Sequence, residues 1–307
     1  MTHSHLYEAF SQLVQRIHPQ SKLLRTWRLE GGVSAQVTAL EILFPDHQTK
    51  KMIIRQYGKV DLQRNHHLAA DEFNLLRILN HAELPVPMPY YFNQSDDLFS
   101  TSYIVIQFIE GQTLFTPADL NDCILQMATN LAHIHQLDSS RLEVSFLSHQ
   151  KEIVAEKLSK NPVSMDNSLD EGLIRDTLKT LWPLPQQNHS VILHGDYWPG
   201  NILWNNGKLV GIIDWEDAAL GDPLADIANS RLEILWAFGV DAMNHFTDQY
   251  KSIMTTLDDN HLPYWDLWAA LKPISGFNQW GLDKSTEQRM RERHHLFVQQ
   301  ALEKLPS

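Results

Sequence analysis

His194-Gly195-Asp196-Tyr197-Trp198-Pro199-Gly200-Asn201, followed by Gly211-Ile212-Ile213-Asp214-Trp215-Glu216, is the stretch that decides how this chain is read. Short apolar runs at 191–193, 202–204 and 209–213 flank it, and their branched and aromatic residues predict a small β island. Two carboxylates and one amide, Asp196, Asp214 and Asn201, therefore fall on loops at strand ends. Oxygen donors of this kind suit magnesium, which takes one or two protein ligands and keeps water or phosphate in its other positions. Asp196 and Asn201 also stand at the spacing that a phosphoryl-transfer loop uses for its base and its metal-binding amide. A short loop can present the base toward an acceptor hydroxyl while its far end turns Asn201 back toward metal, and the next hairpin delivers Asp214 beside it.

On the N-terminal side the runs 24–30, 37–44, 52–57 and 103–108 are strand-like. Between the third and the fourth, Leu68, Phe73, Leu75, Leu76 and Leu79 recur at helical spacing, and the breaker PVPMP follows at 85–89. A small antiparallel sheet with one helix is expected. From Pro117 onward the pattern is helical over 119–136, 168–182, 223–238, 241–257, 262–272 and 285–304, interrupted by the β island. No repeat and no Gly/Ser linker separates the halves, so the expectation is an α+β molecule of two lobes, 1–107 and 108–307, joined near 107–111.

In the N-terminal lobe Arg55 shares a strand face with Ile53 and Tyr57, and Glu72 lies on the apolar stripe of the helix. Such groups are rarely buried unpaired, so an Arg55–Glu72 ion pair is expected. The turn Gly31-Gly32-Val33-Ser34 lies between two strands; its glycines would permit close backbone approach to a phosphate, and equally make an ordinary hairpin turn.

Composition narrows the partners. The net charge is −12, with 10 Lys+Arg and 10 Asp+Glu in residues 1–106 against 15 and 27 in the remainder. An acidic C-terminal part repels nucleic acid and anionic membrane and favours a cationic ligand. No apolar run approaches the ~20 residues of a membrane span, and the N-terminus reads as an amphipathic helix through Leu6, Phe10, Leu13 and Ile17. A single cysteine, Cys123, suits a reducing compartment, and the expected location is the cytoplasm. Among the 16 histidines the close pairs are His66-His67, His294-His295 and His133-x-His135, which do not share a helix face, and no zinc, P-loop or dinucleotide-binding spacing occurs.

Taken together, LHGDYWPGNILW (193–204), GIIDWEDAALGDPLADIA (211–228), YIVIQFIEGQTL (103–114) and DEFNLLRILNHAELPVP (71–87) resemble the aminoglycoside phosphotransferase family, which includes choline kinase-like enzymes and has a protein-kinase-like fold. The resemblance implies an ATP- and magnesium-dependent kinase acting on the hydroxyl of a small molecule such as an aminoglycoside or amino alcohol. By it, Asp196 looks like the catalytic base and Asn201 and Asp214 like the magnesium ligands. Asp226 sits where the family has an acid that braces the catalytic loop, although an acid in a first helical turn is also favoured by the dipole. Arg55 with Glu72 looks like the kinase Lys-Glu pair, with Arg in place of Lys as in choline kinase-like members. Gly31, Gly32 and Ser34 resemble the phosphate-covering loop, with Ala35 where the family often has Asn. The few residues between Asp214 and the helix near Pro223 leave no room for the activation segment of a protein kinase. Other readings are a homoserine- or sugar-type kinase and a catalytically silent nucleotide-binding module of the same fold. Asp217, Glu233 and Asp266 are candidate acids for a cationic acceptor.

Overall fold

The structure, a computed structural model, describes residues 3–29, 35–95, 97–160, 162 and 165–305. Two compact units emerge, one of Met1–Glu110 with Val210–Ile212, the other of Gly111–Leu209 with Ile213–Ser307. The turn holding Gly31, Gly32 and Ser34 lies outside the described residues.

In the first unit, helix α1 (His3–Ile17) buries Phe10, Leu13 and Val14 against an antiparallel sheet. Its strands are β1 (Lys22–Arg28), β2 (Ala35–Leu43), β3 (Thr49–Tyr57), β4 (Pro89–Asn93) and β5 (Tyr103–Gln107), in the order β1-β2-β3-β5-β4. Alternation on β3 sends Met52 and Ile54 into the core shared with α1, while Arg55 and Tyr57 are buried on the opposite face. Two helices, α2 (Lys59–Arg64) and α3 (Leu68–His81), connect β3 to β4. The stripe Leu68, Leu75, Leu76 and Leu79 of α3 is buried, and Glu72 is buried with it.

The second unit is mostly helical. It contains α4 (Leu120–His135), the short strand β6 (Ser148–His149), α5 (Gln150–Ser159), α6 (Glu171–Leu181), β7 (Val191–Leu193), β8 (Ile202–Asn205) and the first two residues of β9 (Lys208–Ile212), whose remaining three are counted with the first unit. Then follow β10 (Ala219–Gly221), α7 (Leu224–Phe238), α8 (Val240–Ile253), α9 (Leu262–Leu271) and α10 (Lys284–Lys304). The expected β island is two sheets: β7 joins β6 and β10 in the order β6-β10-β7, while β8 and β9 form a separate hairpin. Asn206 and Gly207 turn that hairpin, both with positive φ (50° and 74°), the conformation of the tight turns that match strand twist.

Helix α7 is buried along nearly its whole length and packs on α8 and α9, with α4 against α8. A helix buried on all sides is the expected centre of such a bundle. Its one buried cation, Arg231, donates to both oxygens of Asp266 on α9 (3.0 and 3.1 Å) and to the Thr247 hydroxyl of α8 at 2.7 Å. Asp266 is thus committed to a buried ion pair within the bundle, which answers its charge there and removes it from the candidate acceptor acids. Cys123 is buried in α4, and burial, with the charge of Asp122, pushes its thiol up to about 11. Among the described residues no helix is long and apolar enough to cross a membrane.

Candidate active site

The loop from β7 to β8 is built by side chains that grip its backbone. Strand β7 is buried throughout, and the chain leaves it at His194, which is fully buried between the rings of Trp215 (4.4 Å) and Tyr197 (5.7 Å). The His194 Nε2–H donates to the Ile213 carbonyl at 3.0 Å, and Nδ1 accepts the Asp196 N–H at 3.2 Å. These two bonds make His194 a strut between the two loops.

Gly195 follows with φ +83°, and a Cβ there would lie 2.1 Å from the Asp217 carbonyl oxygen, so only glycine fits. Its N–H donates to Asp226 Oδ1 at 2.9 Å, while the His194 N–H donates to Asp226 Oδ2 at 2.6 Å. Asp226 sits in the first turn of α7, with Oδ2 also 3.2 Å from His135 Nε2, and His135 Nδ1 is 2.6 Å from the Tyr250 hydroxyl. Burial alone would raise the Asp226 carboxyl. The hydrogen bond and electrostatic pull of His135, with His194 and the Gly195 N–H, outweigh it and hold Asp226 below the usual carboxylate range. Both readings of Asp226 thus meet in one place: it is a first-turn acid and it holds the loop backbone.

Asp196, Asn201 and Asp214 converge. Asn201 Nδ2 donates to the Asp196 carbonyl at 2.9 Å and to its carboxylate Oδ2 at 3.0 Å. The Ile213 N–H donates to the Asn201 carbonyl at 3.0 Å, which places Asp214, at φ +70°, next to the end of the first loop. Burial pushes the Asp196 carboxyl above its ordinary value; Lys272 and His194 oppose this, and the charges of Asp217 and Asp214 add to it. The NH₂ of Asn201 is engaged by Asp196, and Asn201 and Asp214 together bring one neutral and one anionic oxygen donor. That set fits a magnesium ion completed by phosphate and water. Among the described residues there is no cluster of three or more His, Cys, Asp or Glu able to hold a metal by itself.

In the first unit, Arg55 Nη1 donates to both oxygens of Glu72, at 3.0 and 3.2 Å, and the Tyr57 hydroxyl donates to Glu72 Oε2 at 2.5 Å. The paired charges satisfy each other in a buried setting, where either alone would be costly.

Sequence reasoning missed His135, Tyr250, Asn229 and Lys272. Lys272 Nζ donates to the Gly195 carbonyl at 2.5 Å and to Asn229 Oδ1 at 3.1 Å. His135 lies on the buried face of an amphipathic helix and Lys272 at the end of another, so neither gives a local signal.

Residues 28–251 match the model of the phosphotransferase enzyme family. The chain is 21% identical over 212 residues to acyl-CoA dehydrogenase family member 10 of Mus musculus, covering 65% of this chain and 20% of that protein. It therefore spans about a fifth of that relative's length. The GDP and kanamycin complex of APH(2")-IIia superposes with a TM-score of 0.64 at 18% identity, covering 96% of each chain. A ternary complex of thermostable APH(4)-Ia with AMP-PNP and hygromycin B gives 0.64 at 15% identity, covering 95% of this chain and 98% of the other. These two likenesses are likenesses of fold.

Proposed function

The chain belongs to the phosphotransferase enzyme family, and from that premise we propose that it transfers the terminal phosphoryl group of ATP to a hydroxyl of a small molecule, with magnesium. One observation supports this above the others: a half-buried carboxylate, Asp196, is hydrogen-bonded to the amide of Asn201, and the backbone bond from Ile213 to Asn201 brings Asp214 beside the same loop. Asp196 orients the acceptor hydroxyl and takes its proton, and its raised proton affinity makes it a better base than an ordinary aspartate. Asn201 and Asp214 hold the metal. When bound, magnesium neutralises charge on the phosphates. Arg55, oriented by Glu72 and Tyr57, supplies a guanidinium for phosphate, with Gly31, Gly32 and Ser34 as the covering loop. AMP-PNP with hygromycin B in APH(4)-Ia, and GDP with kanamycin in APH(2")-IIia, support a nucleotide donor and a small-molecule acceptor.

The test is ATP consumption by the full chain across a panel of aminoglycosides, amino alcohols, homoserine and sugars, with and without magnesium. Turnover of at least one member is expected, and Asp214→Ala should abolish magnesium-dependent nucleotide binding. Magnesium-ATP binding with no turnover of any panel member would instead favour the silent module.

Glu233, half-buried on α7, bears on the acceptor. Burial and the charge of Asp196, against the pull of Lys272, push it up to about 8, so at neutral pH it is mostly a neutral carboxyl. Because its pKa is raised, its negative charge appears only as pH climbs through that value. An acceptor with a persistent ammonium group should therefore show a KM that falls between about pH 7 and about pH 9. Glu233→Gln should flatten that slope, and an uncharged sugar should not show it.

A further inference from the structure

Lys272 follows directly on α9, a helix whose residues from Tyr264 to Leu271 are all buried. A lysine there has two ordinary uses: reaching solvent, or capping the last carbonyls of its own helix. Its ammonium group instead donates to Gly195, 77 residues away in the chain, and to the Asn229 side chain of α7. Asn229 is buried, and its amide orientation is fixed by this contact, since its oxygen must face the cation; its NH₂ has no hydrogen-bond partner among the described residues. A buried amide whose oxygen is committed to a lysine 43 residues away restrains the direction of that lysine.

The consequence lies in the peptide between Gly195 and Asp196. Its carbonyl is held by Lys272 and its N–H by His194 Nδ1, while the preceding peptide is held through the Gly195 N–H by Asp226. Two successive peptide planes are thus fixed, and the direction of the Asp196 side chain follows from the second. We propose that Lys272, held by Asn229, is a positioning residue for phosphoryl transfer: it locks the Gly195–Asp196 peptide so that the Asp196 carboxylate meets the acceptor hydroxyl. This rests on the kinase reading above. A charge-assisted bond to a carbonyl is a strong and directional restraint.

The experiment compares full-length wild type with Lys272→Met, Lys272→Ala and Asn229→Leu. Nucleotide affinity, melting temperature, kcat and KM are read together with the ¹³C shift of the Gly195 carbonyl. Lys272→Met should lower kcat by about 10²-fold, the scale of a misplacement near 1 Å, with nucleotide affinity and acceptor KM within about twofold of wild type. Lys272→Ala should regain activity with added ethylammonium, and Asn229→Leu should reproduce the kcat loss in weaker form should the Lys272 variants not fold. The Gly195 carbonyl shift should move in each variant. Unchanged kcat, or kcat, nucleotide affinity and melting temperature falling together without amine rescue, would overturn the proposal. A wild type that turns over no acceptor counts against the kinase reading alone, because the carbonyl shift still decides whether Lys272 grips the loop.

Discussion

Asp196→Asn should reduce turnover by roughly 10²- to 10⁴-fold, the usual range for losing a general base, while leaving nucleotide affinity unchanged. The substitution keeps size and shape, and the asparagine oxygen can still accept from Asn201 Nδ2, which lies 3.0 Å from the carboxylate in the native loop. The backbone bonds from Asp196 to His194 and from Gly195 to Asp226 do not involve the altered side chain. What disappears is proton affinity. Since burial raises the Asp196 carboxyl above its ordinary value, its protonated form persists to higher pH. Turnover should therefore fall on the acid side at a pH above the ordinary carboxylate range, and the variant should lose that limb. Pre-steady-state turnover with saturating ATP, measured against pH, checks both; unchanged turnover would remove Asp196 from the role of base.

Asp226→Ala should cost both stability and activity. The carboxylate is fully buried and accepts two backbone N–H groups of the loop while facing His135, so its removal strands three polar groups in a dry environment. Breaking a buried charged network of this kind costs about 3–5 kcal/mol. Denaturant unfolding should register that loss, and turnover should fall with it because His194 and Gly195 are released. Asp226→Asn keeps one acceptor oxygen but turns an NH₂ against a backbone N–H, so it should fall between wild type and alanine. Tyr250→Phe, one bond further out, leaves the Asp226 contacts themselves intact. An Asp226→Ala protein with native stability and turnover would mean that the loop is held by something else.

The candidate-site loop was legible because its chemistry and its local structure coincide: three oxygen-bearing side chains beside strands of branched residues. The long amphipathic helices were legible for the ordinary reason of period. What escaped was short or long-range. Strand β4 begins at Pro89, inside a run that reads as a breaker, yet proline is tolerated at the first position of an edge strand, and β4 is at the sheet edge. Helix α5 buries only Val154 and Leu158, too few for a visible stripe. Strand β10 has three residues, and its pairing with β7 split the expected β island in two. Asn229 and Lys272 act on a loop tens of residues away, and no local pattern signals that. Asp266, picked from placement as an acceptor acid, pairs with an arginine on a neighbouring helix, which only packing reveals.

The burial of Cys123 has a practical side. It is the sole cysteine of the chain, enclosed in α4 with its thiol well above neutral pH in proton affinity, so it is a poor target for maleimides and other thiol reagents. The unmodified sequence is therefore already a background for site-specific labelling. A cysteine introduced at Phe115, an exposed ring 6.1 Å from that of Trp198 in the loop between β7 and β8, would be the one reactive thiol, and a fluorophore there would report events at the loop without any prior removal of native cysteines.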